Sequence, residues 1–267
     1  MSYKIIFLGD ICGEAGRKAV IQGIKTLKNK YQPDFIIVNG ENSAGGFGIT
    51  PKIAEELFSL GVDCITLGDH AFDRKEIISY LEKEKNIIRP LNYPLGTPGK
   101  GICIKEKNNG LFIVINLVGR VFMKPVDCPF RRIDEELAKI DKEGVIIVDF
   151  HAEATAEKQA MGYFLDGRVS AVLGTHTHIP TADEKILPKG TAYITDVGMC
   201  GAINSVLGMK IEDSLKRLLY GINYRLNPAN SNFQIEGVLI EIDLSTYKAI
   251  RIERIKEKYL DFDSMSS

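Results

Sequence analysis

Five times along this chain a short apolar, β-branched run gives way to a side chain able to bind metal. Residues 4–8 precede Asp10, residues 35–38 precede Glu41 and Asn42, and residues 64–67 precede Asp69 and His70. Residues 145–148 precede His151, and residues 171–173 precede His176 and His178. Runs of this length and composition read as strands, and the segments after several of them carry helical periodicity. Val20, Ile24 and Leu27 share one helical face while Lys18, Lys25 and Lys28 take the other, so that helix packs by one side. Thr50 and Pro51 supply an N-cap hydroxyl and a first-turn proline for the next helix, which Gly61 is expected to close. Asp73 is expected to cap a third helix, with Ile77, Ile78 and Leu81 facing inward. Strands alternating with helices make an α/β chain, and in open α/β sheets ligands collect beyond the carboxyl ends of the strands. The five segments are therefore expected to converge. Gly9, Gly40, Gly68 and Gly174 lie just before the ligand residues, where glycine lets the backbone turn sharply out of a strand.

Two stretches break the βα rhythm. Residues 102–105 and 111–116 flank Asn109-Gly110, a two-residue hairpin signal. Near the C-terminus Ile240, Ile242 and Leu244 alternate with Glu241 and Asp243, and Ile250 and Ile252 alternate with Arg251 and Glu253, which predicts a second hairpin. With 267 residues, 45% of them hydrophobic, the chain can bury one large core, so residues 1–260 are read as a single domain. Residues 261–267 are small and polar and are expected to be a poorly ordered tail.

Charge and cysteine usage narrow the function. Lys plus Arg number 34 against 35 Asp plus Glu, so no chain-wide basic field is present to hold extended nucleic acid. The first apolar run is too short for a signal peptide, and none approaches the ~20 residues of a membrane span, which points to a cytoplasmic protein with no membrane partner. Whether it forms a homo-oligomer is left open. The five cysteines are widely spaced and lack a CxxC pair, which fits reduced thiols rather than disulfides or a structural zinc site.

The chain has four histidines, and all of them sit at strand ends beside carboxylates or one another. Taken singly, each candidate has a plainer explanation: Asp10 as a helix cap, Glu41-Asn42 and Asp69-His70 as turns, His151 as a hydrogen-bonded structural histidine. His176-Thr177-His178 is the stronger single signal, and the coincidence of all five blocks favours a metal site. Imidazole with carboxylate suits zinc, manganese, iron or nickel. Asp10, Glu41, Asn42, Asp69, His151, His176 and His178 exceed what one tetrahedral ion needs and suit two ions about 3.5–4 Å apart.

Gly9-Asp10, Asn39-Gly40-Glu41-Asn42, Gly68-Asp69-His70 and Gly174-Thr175-His176-Thr177-His178 resemble the ordered blocks of the calcineurin-like metallophosphoesterases. Within them the chain most resembles the bacterial YmdB-like branch, on NGENSAGGFGIT, HAEATAEK, GTHTHIPTAD and ITDVGMCG. The resemblance implies a four-layer α/β/β/α sandwich of two mixed sheets. It also implies two divalent or mixed-valence metal ions, iron or manganese with zinc or magnesium as alternatives, and hydrolysis of 2',3'-cyclic nucleotides or similar small phosphodiesters. Carried over residue by residue, Asp10, Asn42 and His178 would hold one metal and Asp69, His151 and His176 the other. Glu41 would bridge them, and His70 would be the general acid that protonates the departing ribose oxygen as a metal-bridged hydroxide attacks. Because nearby cations would depress its imidazolium, His70 needs an anionic partner, for which Asp73 is the candidate. Where most members of the family have Asn, this chain has Asp69, which keeps an oxygen ligand and adds a charge that favours a harder second metal. A phosphomonoesterase on the same site, or a regulatory metal-binding protein with little turnover, are the alternatives.

Other features weigh less. Residues 44–48 are glycine-rich but lack the lysine of a P-loop, so they read as a turn that lets substrate approach. Arg120, Lys124, Arg131 and Arg132 are within sequence reach of a substrate phosphate, yet solvated loop charge is the commoner outcome.

Overall fold

The computed structural model describes residues 1–259; the expected tail, 261–267, lies outside the described residues. In chain order the first half comprises β1 (Ser2–Leu8), β2 (Asp10–Ile11), α1 (Gly13–Tyr31), β3 (Phe35–Asn39), α2 (Pro51–Ser59), β4 (Cys64–Thr66), α3 (Ile77–Leu81), β5 (Ile87–Ile88), β6 (Ile102–Lys107) and β7 (Gly110–Val118). The second half comprises α4 (Pro129–Leu137), β8 (Val145–His151), α5 (Thr155–Leu165), β9 (Ala171–Thr175), β10 (Lys185–Ile186), β11 (Ala192–Ile194), β12 (Met199–Ala202), α6 (Ile211–Tyr220), β13 (Phe233–Asp243) and β14 (Ala249–Tyr259). One sheet runs β2-β12-β13-β1-β3-β4-β5, with β14 also paired to β13. The other runs β10-β11-β9-β8-β7-β6. Both are mixed: β1, β3, β4 and β5 are parallel with β13 antiparallel, and β7, β8, β9 and β11 are parallel with antiparallel β6 and β10 outside them.

The two-residue period of a strand explains the layers. On β1, Ile5 and Phe7 join Phe35, Ile37, Val114, Ile147 and Leu173 in a core between the two sheets. Ile6 and Leu8 face the other way, onto Val20, Ile24 and Leu27 of α1 and the apolar faces of α2 and α3. On the far side Ile113, Ile115, Val148 and Phe150 pack on α4 and α5. Three apolar cores between four layers give the α/β/β/α sandwich expected of the chain.

Local expectations mostly hold. Thr50 Oγ1 accepts from Ile53 N at 3.3 Å and caps α2, and Gly61, at φ +86°, follows its end. Asp73 does not cap α3; that helix starts at Ile77 after Glu76, with no side-chain cap, because Asp73 is engaged by His70. The first hairpin forms, but its turn is Asn108-Asn109, one residue earlier than expected. Lys107 pairs with Gly110, and both asparagines take positive φ, +51° and +58°. Asparagine tolerates that region, so Gly110 is free to serve as the first strand residue. The C-terminal hairpin is as expected, and it is long: β13 and β14 each have 11 residues.

Candidate metal centre

The alternation that builds the inter-sheet core also builds the site. Following the inward positions toward the strand ends, apolar residues give way to Asn39 on β3, Asp149 and His151 on β8, and Thr175 on β9, all buried. Asn39 Nδ2 donates to Asp149 Oδ2 at 3.1 Å, joining the two sheets where the apolar core ends. The candidate ligand residues stand just beyond. A Cβ on Gly68 would collide with Glu41 and His151, so only glycine lets the β4 exit run beside them.

All seven predicted ligand residues meet here. Ligand atoms of Glu41, Asp69, His151 and His176 lie within 4.8 Å of one another. His151 Nε2 is 2.9 Å from Glu41 Oε1, 3.2 Å from Asp69 Oδ1 and 2.9 Å from His176 Nδ1. Asp10 Oδ1 is 3.8 Å from both His151 Nδ1 and His178 Nε2, and Asn42 Nδ2 is 2.9 Å from His178 Nε2. Asp10 is no helix cap: α1 starts after Cys12 with no side-chain cap, while Asp10 Oδ2 accepts from His176 N at 3.2 Å. His70 sits at the mouth. Its N–H donates to Glu41 Oε2 at 3.2 Å, its Nδ1 is 2.7 Å from Asp73 Oδ2, and its Nε2 is 3.9 Å from Asp69 Oδ2.

The residues present fit metal ions. Among the described residues Asp10 Oδ1, Glu41 Oε1 and Asn42 Oδ1 are buried with no hydrogen bond, a costly state for three oxygens unless a cation takes their lone pairs. Each histidine has one ring nitrogen engaged and the other turned to the cluster. Thr175 Oγ1 donates to Asp149 Oδ1 at 2.7 Å, so it accepts the Nδ1 proton of His151 at 2.9 Å and leaves Nε2 bare. Likewise His178 Nδ1 donates to the Leu207 carbonyl at 3.0 Å, and His176 Nε2 is 3.1 Å from Glu153 Oε2. Those outer partners fix which nitrogen is free to ligate.

Electrostatics point the same way. Burial opposes a charged His151, yet Glu41, Asp69 and Asp10 around it raise its pKa well above the ordinary value. Burial and the neighbouring His151 push His176 down to about 3, so it is neutral at pH 7. Burial works against the charge of Asp69, but the His151 hydrogen bond and the charges of His151, His70 and His176 hold its carboxyl well below the usual range. Burial, helped by the nearby Asp10 charge, pushes Asp149 up to about 7 against the opposing pull of His151 and of the Thr66 and Thr175 hydrogen bonds. The same carboxylates form a negative field that a divalent cation would satisfy.

Several contributors were not singled out from the sequence. Asn39, Asp149, Thr175, Glu153 and Leu207 act on the ligands as described. Lys158 and Asp196 form a buried ion pair, Nζ to Oδ2 2.8 Å, and Asp196 Oδ2 also accepts from Thr177 N at 3.0 Å and Thr177 Oγ1 at 2.7 Å. That pair clamps the turn between His176 and His178, whose φ values of +96° and +63° are unusual for non-glycine residues. The signal for it lay in the blocks HAEATAEK and ITDVGMCG, which contain Lys158 and Asp196. Of the loop cations, Lys124 Nζ reaches the Asp69 carbonyl at 3.3 Å, whereas Arg132 pairs with Glu135 and Glu136. The five cysteines are free thiols, and among the described residues no helix is long and apolar enough to cross a membrane.

Comparison with known proteins agrees with this geometry. The profile of the family described as YmdB-like protein matches residues 6–255. A 2',3'-cyclic-nucleotide 2'-phosphodiesterase of Bacillus subtilis is 49% identical over 253 residues, covering 94% of this chain and 96% of that protein. The crystal structure of a novel phosphatase from Mycoplasma pneumoniae superimposes with TM-score 0.93 at 38% identity, covering 100% of this chain and 97% of that one. A calcineurin-like phosphoesterase of Bacillus subtilis shares the fold, with TM-score 0.58 at 15% identity over 96% of this chain and 90% of that one. The chain belongs to the YmdB-like family and is a metal-dependent phosphoesterase of calcineurin-like fold.

Proposed function

We propose, from that membership and the donor set at the strand ends, that the chain hydrolyses 2',3'-cyclic nucleotides at a dinuclear centre. The observation that carries the proposal is the meeting of Glu41, Asp69, His151 and His176 beside the three unsatisfied oxygens of Asp10, Glu41 and Asn42. In this reading Asp10, Asn42 and His178 would hold one ion and Asp69, His151 and His176 the other, with Glu41 available to both. Iron or manganese suits a set of oxygen and imidazole donors without thiolate. When bound, the ions supply Lewis acidity and an activated water for in-line displacement at phosphorus.

The chain's own residues order and protonate. Asp73 Oδ2 accepts a hydrogen bond from His70 Nδ1–H at 2.7 Å, which leaves Nε2–H to supply the proton given to the departing ribose oxygen. The oxygen is the 2' one if this chain works as the name of its Bacillus relative states. The bond from His70 N to Glu41 Oε2 ties the acid to the shared carboxylate, so acid and phosphate sites move together. Ligand residues from Asp10 through His178 serve one centre, which supports reading residues 1–260 as one domain. Free thiols support a cytoplasmic setting, and the exposed Leu215, Leu218 and Leu219 of α6 support self-association.

Metal analysis combined with a panel of phosphomonoesters, linear diesters and 2',3'- and 3',5'-cyclic nucleotides tests the reading. Two metals per chain and turnover of 2',3'-cyclic substrates are expected. Activity confined to monoesters would sink it, and full metal occupancy without turnover would favour a regulatory metal-binding protein.

A further inference from the structure

Beside the histidines lies a cleft of about 290 Å³ with two unlike walls. One is the cluster itself, with His70 and His176. The other is apolar, made by Phe47, Leu207, Met209 and Leu226, with Arg217 beside them. Ligand pockets usually span about 300–1,000 Å³, so this one takes a single nucleoside and little more.

The apolar wall is built and held. Phe47 meets His70 edge to face, ring centroids 5.1 Å apart, so whatever lies on Phe47 adjoins the acid. Its loop is fixed: Gly45, Gly46 and Gly48 take positive φ, and Arg74 donates from Nε to the Phe47 carbonyl at 3.0 Å and from its terminal nitrogen to the Ala44 carbonyl. Leu207 is a second, independent sign. It holds φ +53° with 44% of its surface exposed, although Gly208 is next to it, and its carbonyl is the one that accepts from His178. A large exposed side chain kept at a strained position beside a catalytic centre is explained when it contacts a ligand. Among the described residues the Arg217 guanidinium makes no hydrogen bond or ion pair, so its donors are available.

We propose that this cleft is a nucleobase subsite, in which Phe47 stacks on the base, Leu207 and Leu226 enclose it, and Arg217 reads its edge. The inference rests on the phosphodiesterase reading of the adjoining cluster and adds a substrate preference to it. Every base offers a π-face to an aromatic ring. Only donors emerge from a guanidinium, and guanine presents O6 and N7 as paired acceptors, whereas adenine places an amino donor at that edge. Guanine is therefore preferred to adenine.

The test is steady-state kinetics of the metal-loaded protein with 2',3'-cyclic GMP, 2',3'-cyclic AMP and methyl riboside 2',3'-cyclic phosphate, which has no base. Cyclic GMP should exceed the base-free diester in kcat/KM by about 30-fold and cyclic AMP by about 10-fold. Phe47→Leu, which keeps apolar bulk, should collapse the first ratio mainly through KM, and Phe47→Tyr should preserve it. Arg217→Met should bring the two nucleotides level. Metal content and thermal unfolding of each variant report whether it is folded and loaded. Equal kcat/KM for nucleotide and base-free diester, or a ratio untouched by Phe47→Leu, overturns the subsite; a preference for adenine overturns the role of Arg217. If none of the three is hydrolysed, the phosphodiesterase reading fails on its own. Calorimetry with guanosine 3'-phosphate against ribose 3-phosphate then decides the subsite, and equal affinities would refute it.

Discussion

Glu41 divides the cluster into a sealed side and an open one. Asp10 and His151 are wholly buried and His178 has 7% of its side chain exposed, while Asp69 and His176 stand 16% and 23% exposed and Glu153 49%. On the sealed side the partners are backbone groups and a hydrogen-bond chain that joins the two sheets; on the open side they are other charged side chains and a loop lysine. The sealed side is thus made by the fold, and a change there is felt as lost structure or lost metal. A change on the open side adjusts which metal binds and how fast the chemistry runs.

Variants can break or sharpen that contrast. Glu41→Gln touches both sides and should lower phosphodiesterase turnover by about 10⁴-fold, or ~5 kcal/mol, with both metals depleted in elemental analysis. Lys158→Met leaves Asp196 buried and unpaired behind the sealed side, so denaturant unfolding should show a loss of about 3 kcal/mol. Stability within error of the parent would mean the clamp is dispensable. His70→Ala belongs to the open side: turnover should fall about 100-fold while metal content holds, and loss of metal instead would erase the distinction. Asp69→Asn is the mildest, shifting relative affinity for iron over zinc by about tenfold without emptying the site, as competition binding would register. Unchanged metal preference would argue that the extra carboxylate is inert.

The candidate ligands of both sides were legible in the sequence. Each block of candidate ligands stands at a strand end and four of the five blocks have a glycine just before them; both signals are local, so a single pass along the chain finds them. The outer partners were not legible because they depend on register between distant strands. Asn39 meets Asp149 only because β3 and β8 lie in facing sheets, and Thr175 reaches His151 only because those two residues pair across β8 and β9. Asp73 shows the same limit on a small scale: capping and pairing with His70 are both open to an acid three residues on, and the fold chose the second. The hairpin turn slipped by one residue because Asn108 and Asn109 accept positive φ as readily as Asn109 and Gly110.

The turn that carries His176 and His178 has an evolutionary corollary. Both residues occupy backbone conformations that glycine adopts without strain, worth roughly 1–3 kcal/mol apiece, but only His176 stands on the open side, so there heritable gains in robustness and retention of chemistry pull in opposite directions. A library of this chain sorted only for heat tolerance should drift to glycine at that position early, and such survivors would be sturdier proteins that had forgotten their reaction.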